Sequence, residues 1–482
     1  MTEEIVGSAS CPWTKNVILL PRRPYWECWG WPRYQAPNHK QAWVTDARRQ
    51  HWTWGTRATS LETDEMSVKG DEMRTIGIDL SVSSGHKAIV ADEQGRYVSP
   101  VVKVLCEPGS LRRLLEIAQE GNPDGQVQVV LEPTGMAWLP VAAYLMRQGV
   151  TAYLVNGQQV ADLRRYSKKH AKSDRIDCRV LAKLPLVNQE NLYRLDLPSA
   201  TTLACQRGCK QLERLQKQIT ATKNRLIALD RFAWPGLEQE VFPEAFYPVM
   251  RWFRQHWYHP GRVVAVGVSG LRKAWRDSRI VPDDPAEWAG YLVNLAQQVL
   301  ELYGEDGQQV DFEQLQAEAV REQDYLSFVE QQHNQLQNKT VRPLYRQLHP
   351  SRNLETIPGV GQDGACVYAS FIANPERFSS LRKHRGWSGM VPNSKQSANS
   401  QSLGLKITQA GPRLIKKFSF LDAETARLRD PQIAAIYYDQ MVHKGKHHTQ
   451  AICTCATHVL DRVLVVLRDD RPYELRDVDG TR

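Results

Sequence analysis

Two apolar strand patterns that each end in an acidic residue constrain the fold of this chain more than any other feature. Residues 74–81 (RTIGIDLS) and residues 127–132 (VQVVLE) are typical of strands, with Asp79 and Glu132 near their ends. Three further strand patterns and two helical patterns surround them, at residues 86–91, 97–105, 151–155, 110–120 and 136–148. This alternation predicts a mixed α/β sheet covered by helices.

The 482 residues are enough for two or three domains, and the patterns predict five segments. They are an extension at residues 1–72, the α/β domain at 73–195, a helical region at 196–350, a mostly α-helical carboxyl-terminal domain at 351–471 and a tail at 472–482. The apolar runs are far shorter than the roughly 20 residues needed to cross a bilayer, and no export signal precedes the first strand. We therefore expect a cytoplasmic protein without a membrane partner.

The helical region carries two heptad-like patterns, one at residues 212–229 and one at residues 312–336. Neither pattern keeps an unbroken apolar seam over four heptads, so core helices and an oligomerising coiled coil are equally open. The two helices could pair within one chain or between chains. Between them, residues 232–289 are rich in proline, glycine and aromatic residues and predict a compact subdomain.

Positive charge is concentrated in two stretches of the chain. Residues 161–185 contain eight Lys and Arg against three acids, and residues 376–417 contain nine against one. Localised positive charge is typical of proteins that bind a phosphate backbone. The alternative is that both stretches are solvated basic surfaces.

Four carboxylates are candidates for a metal site. Asp79 and Glu132 leave the ends of two predicted strands, where α/β sheets place their sites, and Asp174 and Asp177 lie three apart on one face of a predicted helix. Hard oxygen ligands suit Mg²⁺ or Mn²⁺, which can activate both oxygens of a phosphodiester in transfer. The alternative is that Asp174 and Asp177 only pair with neighbouring cations. The cations predicted to hold a polyanion there are Arg164, Arg165, Lys168, Lys169, Lys172 and Arg175.

The motifs around these acids resemble a known family. IGIDLS, LEPTG and KSDRIDCRVLA resemble the amino-terminal DEDD domain of insertion-sequence 110/1111 transposases, relatives of the Piv and MooV DNA invertases. LETIPGVGQDG and GMVPNSKQSANS resemble the carboxyl-terminal transposase domain of the same family. The resemblance implies a RuvC-like (RNase H-like) amino-terminal domain, a coiled-coil middle and a serine domain at the carboxyl end.

The same resemblance implies the reaction. It implies a DNA transposase that exchanges strands through Mg²⁺-dependent phosphoryl transfer and a covalent phosphoserine, with Ser397 as the nucleophile. It also implies DNA ends, target DNA and a bridge RNA as partners, and we expect a homo-oligomer, a dimer or tetramer. Further nucleic-acid contacts are expected at a helix-hairpin-helix-like turn and at basic residues, namely Gly359, Gly361, Lys395, Lys406, Arg413, Lys416, Lys444 and Lys446.

Three other functions remain open from the sequence. A RuvC-type junction nuclease would use the same carboxylates without Ser397. An actin-like sugar kinase also begins with a Gly-Ile-Asp strand, although no later glycine motif for a nucleotide follows. A degraded copy that only binds nucleic acid is the last alternative, because Ala398 stands where the family carries glycine after the nucleophile.

The first 72 residues contain seven of the fourteen tryptophans and show neither helical nor strand periodicity. We expect a poorly ordered extension that arises from a start codon assigned too early. Mass spectrometry of the native protein should then find no peptides from the segment between Trp13 and Trp54, and their recovery in full yield would contradict this expectation.

Overall fold

The computed structural model describes part of the chain in detail. The described residues are 72–82, 84–155, 157–167, 174–189, 192–237, 246–304, 309–393, 396–397, 400–401, 406–408 and 410–481. All of them belong to one unit, Asp71–Arg482. The predicted extension at residues 1–72 lies outside the described residues except for its last residue.

A five-stranded mixed sheet forms the amino-terminal part of this unit, as predicted. Its strands are β1 (Arg74–Asp79), β2 (His86–Ala91), β3 (Val102–Val104), β4 (Val127–Leu131) and β5 (Thr151–Leu154), in the order β3-β2-β1-β4-β5. Strand β1 is antiparallel to β2 and parallel to β4, and β4 is parallel to β5. Strand β3 is shorter than the predicted strand at residues 97–105, because Tyr97 makes only an isolated bridge to Ala91.

Helices cover both faces of the sheet. They are α1 (Pro108–Gln119), α2 (Trp138–Arg147), α3 (Gly157–Ser167) and α4 (Asp174–Asn188). The apolar residues of α1 and α2 pack with Ile76 and Ile78 of β1, while those of α3 and α4 pack with Val130 and Ile89 on the other face. Helices α3 and α4 lie in the basic stretch, and residues 168–173 between them are outside the described residues.

The described residues in the middle of the chain form five helices, namely α5 (Ala200–Ala233), α6 (Pro248–His256), α7 (Pro260–Ser278), α8 (Pro285–Tyr303) and α9 (Phe312–Leu336). The two heptad patterns lie on α5 and α9, which pack on each other within this chain through Ile219, Leu226, Leu326 and Val329. Ion pairs of 3.1 Å and 2.9 Å join the same helices, from Lys223 to Glu330 and from Arg225 to Glu322. The two heptad helices thus pair with each other within one chain, an arrangement that the sequence left open.

The compact subdomain between α5 and α9 has an aromatic core with an ion pair inside it. Arg254 of α6 donates to both carboxylate oxygens of Asp230, at 3.0 Å and 2.5 Å, and the hydroxyl of Tyr258 donates to the same carboxylate at 3.1 Å. Arg254 is fully buried and Asp230 is 3% exposed. The pair joins α6 to the end of α5. Removing either partner would leave the other as an unpaired buried charge, which is strongly destabilising.

The carboxyl-terminal domain is mostly helical. Its main helices are α10 (Arg342–Leu348), α11 (Gln362–Ile372), α12 (Leu381–Ser388), α13 (Arg413–Ala426), α14 (Pro431–Tyr438) and α15 (His448–Asp469), and a short hairpin pairs β6 (Gln396–Ser397) with β7 (Ser400–Gln401). Its core also takes Cys205 and Cys209 from α5 and, at its edge, Tyr473 of the predicted tail. Helix α15 alone, among the described helices, is long and apolar enough to span a membrane, and half of its most apolar stretch is buried. Such burial is typical of a core helix.

A carboxyl group lies inside this core. Asp422 of α13 is 6% exposed and accepts a 2.6 Å hydrogen bond from the hydroxyl of Tyr368 on α11. Burial raises the pKa of Asp422 to about 7, although the bond from Tyr368 works in the opposite direction. Asp422 therefore takes up a proton on folding at mildly acidic pH.

This proton uptake makes stability depend on pH. Because the pKa of Asp422 is higher in the folded chain, its contribution to the free energy of unfolding is largest at low pH and is lost between pH 4 and about 7. The loss should be on the order of a few kcal/mol. Asp422→Asn keeps the hydrogen bond from Tyr368 and should flatten this dependence, so that the variant is the more stable protein above pH 7.

Urea unfolding of the full chain, followed by fluorescence from pH 4 to pH 8, measures the difference between Asp422→Asn and the unmodified protein. Asp469→Asn, which removes an exposed carboxyl from the end of α15, is the control and should leave the pH dependence unchanged. Parallel curves for the unmodified protein and Asp422→Asn would contradict the assignment.

Candidate functional site

Asp79 and Glu132 lie side by side at one edge of the sheet. Strands β1 and β4 are parallel neighbours, and the last residues in register are Ile78 opposite Leu131. The next residue is Asp79 after Ile78 of β1 and Glu132 after Leu131 of β4. Because neighbouring strands are about 4.8 Å apart, the two acids begin from adjacent backbone positions.

Helix α4 brings a third acid to this edge by packing unusually close to β1. A Cβ atom on Gly77 would lie 2.2 Å from the carbonyl oxygen of Cys178 and 2.4 Å from the backbone nitrogen of Ala182. Only glycine leaves room for this approach of two backbones. Asp177 precedes Cys178 on the same helix and is 7% exposed, so the contact at Gly77 sets how far Asp177 lies from the sheet.

Asp79, Glu132 and Asp177 line one cavity of roughly 560 Å³. Thr134 and Lys87 line the same cavity. Lys87 stands opposite Asp79 in the antiparallel register of β1 and β2, which places both side chains on one face of the sheet. Among the described residues that line it, the cavity thus has three carboxylates and one cation. Lys87 could not be identified from local sequence, because its position depends on strand register.

Glu132 and Asp79 each affect a neighbouring group at this cavity. A Cβ atom on Gly157, the first residue of α3, would lie 2.6 Å from a carboxylate oxygen of Glu132. Glu132 thus reaches the amino-terminal end of α3, where the helix dipole favours negative charge. The pKa of Cys178 is raised to about 11, chiefly by burial and next by the charge of Asp79, so Cys178 remains a thiol at neutral pH.

The chemistry of these ligands suits a divalent cation, since all three are carboxylates at one cavity. Within the described residues, no three acidic, histidine or cysteine side chains are grouped closely enough to hold a metal ion as they stand. Asp174 is the first residue of α4, three before Asp177, and its side chain lies outside the described part of the structure. The structure therefore brings three of the four predicted acids to one cavity.

Most of the predicted basic residues around α3 and α4 fall outside the description. Lys168, Lys169 and Lys172 lie outside the described residues, as do the side chains of Arg164 and Arg175. Arg165 is described and exposed on α3, where it forms a 3.3 Å ion pair with Asp162. One of the six predicted cations is therefore placed, and it faces solvent.

The turn predicted to resemble a helix-hairpin-helix precedes α11. Gly361 is the amino-terminal cap of α11, with open space around it. Gly359 has a φ of +93°, and a Cβ atom there would lie 2.2 Å from the carbonyl oxygen of Asp422 on α13. Gly359 is thus required for packing as well as for the turn.

The candidate nucleophile lies on the short hairpin. Ser397 is the last residue of β6 and pairs with Ser400 of β7, while its side chain, Lys395 and the two residues between the strands are outside the description. Lys406 and Arg413 are exposed. Lys416 donates to the backbone carbonyls of Thr408 and Ala410, at 3.2 Å and 2.7 Å, so it holds the segment after the hairpin against α13.

The two lysines predicted to contact nucleic acid before α15 are also engaged within the protein. Lys444 forms a 2.6 Å ion pair with Asp439, and Lys446 donates to the amide oxygen of Gln440 at 2.5 Å. Both partners lie on a π-helix, Asp439–His443, that continues α14. These lysines therefore close the loop between α14 and α15, although both remain exposed.

Next to that loop lies a hydrogen-bonded chain that the sequence did not reveal. His448 contacts Glu424 of α13 at 2.7 Å through one ring nitrogen and the hydroxyl of Tyr437 of α14 at 2.8 Å through the other. The guanidinium of Arg427 lies 5.0 Å from the centre of the Tyr437 ring. These hydrogen bonds join the ends of three consecutive helices, α13, α14 and α15.

Comparison with known proteins places two parts of this chain among transposases. The family model DEDD_Tnp_IS110, described as a transposase, matches residues 76–235. The model described as Transposase IS116/IS110/IS902 family matches residues 351–438. The first match contains Asp79, Glu132, Asp174 and Asp177, and the second contains Ser397.

Two relatives match over most of their length. The chain is 24% identical over 416 residues to the insertion element IS110 uncharacterized 43.6 kDa protein of Streptomyces coelicolor, covering 83% of this chain and 96% of that protein. It is 22% identical over 409 residues to the insertion element IS116 uncharacterized 44.8 kDa protein of Streptomyces clavuligerus, covering 85% of this chain and 98% of that protein.

The close contact at Gly77 predicts a large effect of one methyl group. Gly77→Ala would force α4 away from β1, because both atoms in its way are backbone atoms. Overpacking of this kind costs about 1 to 3 kcal/mol or more, and it would move Asp177 out of the cavity. Chemical denaturation measures the loss.

Gly290→Ala is the matched control for this change. Gly290 is exposed within α8 with nothing near its missing Cβ atom, so alanine should be neutral or stabilising by up to about 1 kcal/mol. Equal stability of Gly77→Ala and the unmodified protein would show that the two backbones are not held as close as described.

Proposed function

Because the chain belongs to the IS110 family of transposases, we propose that it exchanges DNA strands by divalent-cation-dependent phosphoryl transfer with a serine nucleophile. The observation that carries this proposal is the meeting of Asp79, Glu132 and Asp177 at one cavity. They arrive from two parallel strands and a helix that are separated by about a hundred residues of chain. Carboxylates have no packing reason to gather in this way, since their charges repel.

The fold of the first domain supports the same reading. The strand order β3-β2-β1-β4-β5, in which β2 runs antiparallel to the other four strands, is what we expect of an RNase H-like domain of RuvC type. In such a sheet the acids of β1 and β4 emerge at the same edge. We infer that this domain is the one that handles the scissile phosphodiester.

The proposed metal ligands are Asp79, Glu132, Asp174 and Asp177, and the proposed ions are Mg²⁺, with Mn²⁺ as a substitute. A bound divalent ion would supply charge stabilisation at the phosphoryl oxygens, worth several kcal/mol in transition-state energy. The protein's own part is to hold the carboxylates at fixed positions through the β1 and β4 register and the close packing of α4. Lys87 at the same cavity offers a positive charge to a phosphate.

Ser397 is the proposed nucleophile of the second domain. Its oxygen would bond to phosphorus while the bond from phosphorus to one ester oxygen of the DNA strand breaks. In net terms the proton of the serine hydroxyl passes to the released ester oxygen, which becomes a strand hydroxyl. One phosphodiester bond breaks and one forms, so their number is unchanged. This storage of the bond lets the strand be rejoined to a new partner without an external energy source.

DNA is the substrate that the family implies. A bridge RNA that pairs with donor and target DNA, and an assembly of two or four copies, are further parts of the proposal that rest on the resemblance. The basic residues at 161–185 and 376–417 support contacts with polyanions of both kinds. A nuclease of RuvC type would use the same carboxylates, so the serine decides between the two functions.

The experiment that tests the function combines the purified full chain, labelled element-end DNA, the bridge RNA transcribed from that end, and Mg²⁺. A protein–DNA adduct that survives denaturing electrophoresis is expected. Alkali should release the DNA from the protein, because it cleaves the phosphoserine ester. Ser397→Ala should abolish the adduct, whereas Ser400→Ala, on the paired strand of the same hairpin, should retain it.

Substitutions at the cavity test the metal ligands separately. Asp79→Asn, Glu132→Gln and Asp177→Asn should each lower adduct formation by on the order of a hundredfold or more, since the charge stabilisation at stake is several kcal/mol. Cleaved DNA without any adduct would identify a nuclease instead. Full DNA binding with neither cleavage nor adduct in the unmodified protein would identify a degraded copy.

A further inference from the structure

The first half of α5 exposes a row of cations that lies outside the two basic stretches of the sequence. Arg207, Lys210, Arg214 and Lys217 are all exposed and are spaced three, four and three residues apart. This spacing puts them on one face of the helix, over a length of roughly 15 Å. We name this row the α5 basic stripe.

The opposite face of the same helical turns is fixed in the carboxyl-terminal core. Cys205 and Cys209 are buried there, and the side-chain amide of Gln206 donates to the carbonyl of Ser370 at 2.7 Å. A Cβ atom on Gly208 would lie 2.5 Å from a methyl carbon of Val341. The stripe is therefore presented outward from a well-packed support rather than from a loose arm.

The charge of the stripe is not balanced by nearby acids. Glu213 is the only acid among residues 200–217, and it is already bonded by Lys417 of α13 at 2.5 Å and approached by Lys217 at 3.7 Å. In the described part of the chain, Arg207 and Arg214 form no ion pair. Four exposed cations with one carboxylate among them, itself shared with Lys417, leave a net positive potential on this face, which favours a polyanion.

The second half of α5 shows the contrast. There Lys223 and Arg225 pair with Glu330 and Glu322 of α9, and α9 carries five acids against one arginine. The acids of α9 thus neutralise one half of α5 and leave the other half open. Charge on α5 is used for helix pairing at one end only.

We propose that the α5 basic stripe, continued by Lys417 of α13, binds the phosphate backbone of duplex DNA. This proposal rests on the proposed function, since it names a surface that would hold the substrate. A duplex carries about one charge per 1.7 Å of its axis with both strands counted, so 15 Å of duplex carries roughly nine phosphates, of which the four cations would contact those on the facing side. The contact would be independent of base sequence, because helix-borne cations against phosphates fix position and not sequence.

The test replaces the four stripe cations together, as Arg207→Gln, Lys210→Gln, Arg214→Gln and Lys217→Gln, in the full chain. The probe is a fluorescent duplex of about 30 base pairs of arbitrary sequence, titrated between about 50 and 200 mM KCl. The slope of log affinity against log salt should fall by about 0.9 for each lost phosphate contact, and so by up to about 3.6. Two double variants, Arg207/Lys210 and Arg214/Lys217, should each give part of this change.

A matched control carries the same change of charge elsewhere. Arg272, Lys273, Arg276 and Arg279 are four exposed cations on and just after α7, and their replacement by glutamine should leave the salt slope nearly unchanged. Circular dichroism should give the same melting temperature for all variants, since every substituted side chain is exposed.

Three results would overturn the proposal. Equal losses in the α5 and α7 variants would mean that only net charge matters. An unchanged slope in the α5 variant, beside a steep slope in the unmodified protein, would remove the stripe from the DNA contact. A loss seen with a single-stranded RNA probe of equal length but not with the duplex would assign the stripe to RNA. Absence of salt-dependent duplex binding by the unmodified protein would instead contradict the proposed function itself.

Discussion

The contact between the backbones of β1 and α4 at Gly77 is the constraint on which the candidate site depends. Strand register alone brings Asp79 and Glu132 together, but Asp177 reaches them only because a helix lies against the central strand at a distance that no Cβ atom permits. Backbone contact of this kind is stiff, since neither partner can change rotamer to relieve a clash. The spacing of the acids is thus set by main-chain packing and not by interactions between their side chains.

The cations of this protein divide into those bonded to other groups of the chain and those exposed to solvent. Several cations are bonded to groups of the protein itself: Lys416 bonds to two carbonyls, Lys444 pairs with Asp439, and Arg254 is buried with Asp230. The cations of α5 between Arg207 and Lys217 point outward from a buried support. Counting basic residues along the chain cannot separate these uses, because a pairing partner is often more than twenty residues away.

Helix α5 also joins the parts of the protein. Its first turns pack in the carboxyl-terminal core, its middle pairs with α9, and its last turn supplies Asp230 and Ala233 to the aromatic subdomain. A continuous helix of 34 residues transmits position along its length, since its own hydrogen bonds keep it straight. We infer that the placement of the carboxyl-terminal domain relative to this subdomain depends on α5.

The sequence by itself determined the mixed sheet, the acids at the strand ends, the two heptad helices and the family, because side-chain periodicity and short motifs are local properties. Only the tertiary structure decided that α5 and α9 pair within the chain, that Lys87 shares the cavity with the acids, and that Gly77 and Gly359 exist for close packing. Each of these depends on two segments that are distant in sequence and meet at one particular register. No local pattern records such a register, since it is the outcome of how all the packed surfaces fit together at once.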